Sequence, residues 1–171
     1  MNDNFINLKD QLALAQIKAY LKNQPISAEV LEASDLIPYN LLLITDPLNG
    51  SSNLMYVPLP EDHFQEIRLM QLYSLIIPVI NPERKTDLFY LINEINAQLP
   101  IGSISVNKMA ELGIKFIFPV SRFHLPEEDN FIEIFNLFQD CLVNFRDILT
   151  GLNEGTIGLA DAMSKLALDN E

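Results

Sequence analysis

The sequence contains a single cysteine, Cys141, so no internal disulfide framework holds the chain. Its six glycines are scattered, and none forms the phosphate-cradling loop of nucleotide-binding motifs. No nucleophile-elbow sequence occurs. Histidine is limited to His63 and His124, each beside a phenylalanine in a predicted loop and without the spacing of a metal pair. Both read as surface residues. The cluster Glu127-Glu128-Asp129 lacks the alternating acids and closing glutamate of a calcium loop. No catalytic, cofactor-binding or metal-ligating residue is assigned on these grounds, and the chain is expected not to be an enzyme.

Long apolar runs are also missing. None reaches the roughly 18 residues of a membrane span, and the longest candidates are interrupted by Gln71, Ser74 and Pro78. Asp3, Lys9 and Asp10 do not give the basic-then-apolar layout of a signal peptide. Asn49-Gly50-Ser51 fits a glycosylation acceptor, but without a secretory signal it reads as a turn. The expected location is the cytoplasm, with no membrane association.

Bases are scarce: 11 Lys and Arg stand against 23 Asp and Glu, a net charge of -12. Ten of the acids and only two of the bases fall between Pro126 and Glu171. An acidic end of this kind repels phosphate backbones, so nucleic acid is not an expected partner. Solubility is its simplest use, and an acidic surface for a basic partner is the sharper one.

What is present is enough for a folded protein: 49% apolar residues with 20% charged. The expected organisation is one α+β domain over 1–171. Residues 4–22 read as a helix with a broad apolar stripe, along either Phe5, Leu8, Leu12, Ala15, Ala19 and Leu21 or Leu12, Ala13, Ile17 and Tyr20. Strands follow at about 26–33, at 39–45 as a doubly covered run, at 53–57 after the turn Asp46-Pro47-Leu48-Asn49-Gly50, and at 66–79. For 62–73 a helix is the competing reading.

A helix is expected from Pro82 to about Gln98, with Asn81 as its cap and Pro82 where a missing N–H costs nothing. Asn93 and Asn96 lie three apart near its end and read as structural contacts to the following loop rather than as ligands. Strands at 101–106 and 114–118 come next, and 119–126 reads as a connection. A long helix opening at Glu127 carries Phe131, Ile134, Phe135, Phe138, Cys141, Leu142, Phe145, Ile148 and Leu149 at helical spacing. Gly151, Asn153 and Gly155 are expected to break it, and a last helix covers about 156–168.

The resulting order is α-β-β-β-β-α-β-β-α-α, an α+β fold with an antiparallel sheet of five to six strands under helices. Phe131, Phe135, Phe138 and Phe145 need a large apolar acceptor, which the sheet or a partner subunit could supply. They are the candidate protein-interaction surface, and a homodimer is expected from them. Cys141, inside that stripe, is expected to be a core thiol of raised pKa and low reactivity if buried.

The element order, together with Leu91-Ile92-Asn93-Glu94-Ile95-Asn96-Ala97-Gln98-Leu99-Pro100-Ile101-Gly102-Ser103, resembles the YbjN-like bacterial proteins. These look like the type III secretion chaperone fold. The resemblance covers residues 26–150 and leaves 151–171 as a helical extension. It implies a non-enzymatic protein-binding module, chaperone-like or regulatory, with no cofactor, and with a client protein and a homodimer as its partners. A small-molecule binder or enzyme without a recognisable motif is the alternative.

Overall fold

The structure is a computed structural model and describes residues 3–35, 37–58 and 66–168. His63, most of the acidic loop 58–63 and residues 169–171 lie outside the described residues, as does the side chain of Phe5. Helix α1 (Asp3–Tyr20) ends in a 3-10 turn, Leu21–Asn23. Strands β1 (Ser27–Leu31), β2 (Leu41–Asp46), β3 (Gly50–Tyr56) and β4 (Ile67–Ile77) follow. A 3-10 turn, Pro82–Arg84, leads into α2 (Lys85–Gln98). The chain ends in β5 (Ser103–Val106), β6 (Leu112–Ser121), α3 (Glu128–Glu154) and α4 (Leu159–Leu168). This is the expected element order. The strands form one six-stranded antiparallel sheet in the order β1-β2-β3-β4-β6-β5.

The competing helix over 62–73 is not formed from Ile67 onward, where the alternating apolar residues build β4. The turn at 46–50 joins β2 to β3 with Asp46 opposite Gly50. Gly50 supplies the positive φ, at 76°. Asp46 holds the loop by accepting from the Leu48 N–H and the Asn49 amide, each at 2.8 Å. The β2 strand, expected to be covered on both faces, buries Leu41, Leu42 and Ile44 and leaves Leu43 half-buried and Thr45 exposed.

Most strands differ from their expected bounds by one to three residues, β3 for instance starting at Gly50 rather than Asn53, and three boundaries differ for reasons visible in the structure. The long helix does not break at Gly151 but continues through Asn153 to Glu154. Gly151 lets the chain that follows fold back closely. Its carbonyl accepts from the Thr156 N–H at 2.9 Å, and an added Cβ would meet Ile157 at 3.3 Å. The turn out of the helix is made by Gly155 at φ 75°. Residues 156–158 therefore belong to that turn, and α4 starts only at Leu159. Finally, β6 continues through Pro119 to Ser121. Pro119 lies past the ladder with β5, which pairs only Leu112–Lys115, so its missing N–H breaks no bond there.

The chain divides into two compact units, Met1–Tyr73 with Ile117–Leu137, and Ser74–Phe116 with Phe138–Glu171. In the first, α1 lies against β1 and β2 and buries Ala13, Leu14, Ile17 and Leu21. Tyr20 and Phe135 flank Phe131 at ring-centre distances of 6.3 and 6.2 Å. In the second, α2 lies against β5 and α4 and buries Leu88, Leu91, Ile92 and Ile95 at i, i+3, i+4 spacing. Phe116 and Phe138 meet edge to face at 5.2 Å.

Asparagine side chains make the joints of the second unit. Asn81 caps the turn before α2, accepting from the Glu83 N–H at 3.0 Å. Asn153 of α3 accepts from the Asn81 N–H at 2.8 Å and donates to the Val79 carbonyl at 3.3 Å. Asn96 accepts from the Ile104 N–H at 2.7 Å and donates to its carbonyl at 2.9 Å, tying α2 to β5. This is the structural role expected of Asn96, whereas Asn93 is exposed.

Candidate functional site

The Phe-rich stripe of α3 is part of this chain's own core. Phe131, Phe135 and Phe138 are at most 2% exposed, and Phe145 is half-buried. The first three are therefore not surface residues, and the homodimer inferred from the stripe loses that support. The long apolar acceptor they need is supplied within the chain, as the two aromatic clusters just described make plain. Cys141 is buried beside them, and burial, with a smaller contribution from Asp140, pushes its thiol pKa up.

The described residues hold a hollow elsewhere, in the first unit. One turn-spaced face of α1 lines it with Lys9, Leu12, Ala13 and Gln16, an i, i+3, i+4, i+7 set. Tyr56, the last residue of β3, and Arg68, near the start of β4, form one wall. The segment Ser121 to Leu125, leaving β6, forms the other. The hollow's volume is about 190 Å³.

Each wall is held by identifiable bonds. The Ser121 hydroxyl accepts from the N–H groups of Phe123 and His124 at 3.1 and 3.2 Å, which curls the segment. The Arg122 N–H donates to the Glu66 carbonyl at 2.9 Å. Lys9 Nζ donates to the Arg122 carbonyl at 3.0 Å, and the Tyr20 hydroxyl donates to the Pro126 carbonyl at 3.3 Å. Helix α1 thus secures both ends of the loop.

On the opposite wall, Arg68 pairs with Asp10 at 2.6 Å and lies over the Tyr56 ring, 3.8 Å from its centre. Burial pushes the Tyr56 phenol up to about 12. The nearby Arg68 charge pulls the other way, and Asp10 and Tyr20 reinforce the rise. Tyr56 is therefore a neutral wall of the hollow at physiological pH, and the guanidinium stacked on it is fixed on two sides.

The rim is apolar and open. Leu12 is 64% exposed and Phe123 63%. The lining combines these with the cations Lys9, Arg68 and Arg122, and includes no carboxylate among the described residues. His124 is exposed on the same wall, a surface position as its sequence context indicated. Among the described residues no group of three or more His, Cys, Asp and Glu is placed to hold a metal ion.

Sequence reasoning singled out none of this hollow as a site. The available signal was the excess width of the α1 stripe. Of its two candidate faces, one buries Ala13 and Ile17 and half-buries Tyr20, while the other exposes Leu8, Ala15 and Ala19 and buries Leu21 at its end; Leu12, common to both, is exposed. Tyr56 and Arg68 left no such trace, because their meeting depends on β3–β4 pairing. No helix of the described residues is long and apolar enough to cross a membrane. No protein-family model matches this sequence, and no curated protein is significantly similar to it.

Proposed function

We propose that this chain is a non-enzymatic, cytoplasmic protein-binding module, chaperone-like or regulatory, and that it docks its client at the hollow of the first unit. The observation carrying this reading is a side-chain-sized hollow with exposed Leu12 and Phe123 on its rim. Small-molecule sites usually enclose about 300–1,000 Å³. At about 190 Å³ the hollow is suited to one side chain of a larger partner, which favours a protein over a free small molecule. Aromatic and apolar rims around a single anchor pocket are the usual form of peptide-docking sites. The similarity of residues 91–103 to the YbjN-like proteins, and through them to secretion chaperones, points in the same direction.

The test is site-specific photo-crosslinking in the native host. A crosslinking residue at Phe123 is expected to trap a discrete protein, and excess unlabelled wild-type chain is expected to compete it away. The control places the same residue at Tyr90, an exposed position on α2 in the other unit. Identical products from both positions would remove the hollow as the docking site.

A further inference from the structure

Strand β5 is an end strand of the sheet, hydrogen-bonded to β6 on one side. In an antiparallel pair, the backbone groups of alternate residues point toward the partner and away from it. Asn107, just after the strand, donates its N–H inward to the Glu111 carbonyl at 2.9 Å. Counting back by twos, Ser105 and Ser103 also face β6, while Ile104 and Val106 turn their groups outward. The Asn96 carboxamide meets Ile104 there. Its Oδ1 accepts the Ile104 N–H at 2.7 Å, and its Nδ2 donates to the Ile104 carbonyl at 2.9 Å. This is the acceptor and donor pair that the backbone of an added strand would present. We propose that Asn96 is an edge-blocking residue, which stops the β5 of a second copy from pairing with this β5.

The rest of the edge explains why one side chain suffices. Before the strand, Gly102 has φ 84°, which is not extended backbone, so a partner strand cannot continue past Ser103. After it, Asn107 Oδ1 folds the chain into a turn by accepting from the Met109 and Glu111 N–H groups. Ile104 is thus the residue of β5 with outward groups and a strand neighbour on each side. A second copy laid antiparallel about Ile104 would exchange two hydrogen bonds with it, and the pair would be symmetric, so one contact closes a dimer.

Edges are usually protected by a charge, a proline or a bulge. The segment Ser103–Val106 holds neither charge nor proline, whereas β1, the other end strand, has the exposed Glu29 at its middle. The carboxamide is also well placed to compete. Its neighbour Ile95 is fully buried, so Asn96 is presented by an anchored helix, and it loses less freedom on bonding than an incoming chain would.

Light scattering of the full chain over a range of concentrations tests this, at physiological salt and well below each melting temperature. Salt is needed because copies carrying -12 repel one another. Asn96→Ala frees the Ile104 groups and should associate about tenfold or more tightly than wild type, each hydrogen bond gained being worth about fivefold in an equilibrium constant. Two variants separate edge blocking from loss of stability. Asn96→Asp keeps the acceptor, loses the donor and sets a charge on the edge; it should melt below wild type yet associate no more than it. Val106→Pro sets a ring against the incoming strand, and added to Asn96→Ala it should abolish the extra association while lowering the melting temperature further. Asn96→Ser, too short to make both bonds, replaces the alanine variant if that one does not fold.

Equal concentration dependence in wild type and Asn96→Ala would overturn the proposal. So would association that tracks lost stability, rising in Asn96→Asp and persisting in the double variant.

Discussion

At the scale of single residues, two backbone positions with φ > 0 should respond in opposite ways to substitution. Gly102 has φ 84°, and a Cβ built there would overlap the Phe116 ring and the Lys115 carbonyl. Neither can move cheaply, since Phe116 is fully buried and Lys115 is in the β5–β6 ladder. Gly102→Ala is expected to cost about 3 kcal/mol or more, read from denaturant unfolding. Ala110 holds φ 59° in the turn between β5 and β6, a conformation that disfavours any residue with a Cβ. The turn is already fixed by Asn107 Oδ1, which accepts from the Met109 and Glu111 N–H groups. Ala110→Gly should therefore stabilise, by about 0.5–1 kcal/mol.

Tyr56 supplies a pH-dependent expectation at the same scale. Its phenol is held neutral up to about 12 in the folded chain, above the ordinary value of about 10. Below the ordinary value both states are protonated and the folded state loses nothing. As pH rises from about 10 to 12, the unfolded chain releases this proton first, so stability falls across that window. The effect is at most on the order of 2–3 kcal/mol. Tyrosinate absorbance should show a late ionisation step near pH 12, and Tyr56→Phe should remove it.

At the scale of elements, the joints matter more than the helices they connect. Asn153 offers its side chain to both Asn81 and Val79, so a single residue of α3 fixes the entry into α2. Asn153→Ala removes these bonds and leaves part-buried backbone groups without them, at a cost of about 1–3 kcal/mol in thermal or denaturant unfolding. Asn153→Asp, which keeps the acceptor, should lose less. Phe138→Ala tests the burial of the α3 stripe. As a core residue against Phe116 it should cost about 3–5 kcal/mol, whereas an interface residue would change association and spare stability.

These elements also mark what sequence could and could not reveal. The α2 helix, its Asn81 cap, the strand alternation from Ile67 and the role of Asn96 all depend on residues close in sequence, and each was readable from spacing. The continuation of α3 past Gly151 was not. It depends on Thr156 and Ile157 returning to that glycine, a tertiary gain that outweighs its low helix propensity. The stripe of Phe131, Phe135 and Phe138 was visible, but periodicity gives the direction of an apolar face and not what covers it. The hollow was illegible for the strongest reason. Its members come from four stretches of chain, and only the unused apolar face of α1 hinted at them.

At the scale of the molecule, charge is the dominant property, and α3 concentrates it. Glu133, Asp140, Asp147 and Glu154 recur every seven residues and are all exposed, so they form an acidic line along the helix. Seven residues of α-helix span about 10.5 Å. That is close to the Debye length of about 8 Å at physiological ionic strength and far below the ~30 Å at 0.01 M. The acids therefore repel one another appreciably only in dilute salt, and with -12 on the chain few cations are available to relieve them. Raising sodium chloride from low to physiological concentration should stabilise the fold by on the order of 1 kcal/mol, which for a chain of this size is about 2–4 °C in melting temperature. Most of the gain should arrive before physiological strength. Replacing Asp147, an inner acid of the line, by asparagine should shrink the salt response while leaving the melting temperature in high salt unchanged. An equal salt response in Asp147→Asn and wild type would place the repulsion elsewhere than on α3.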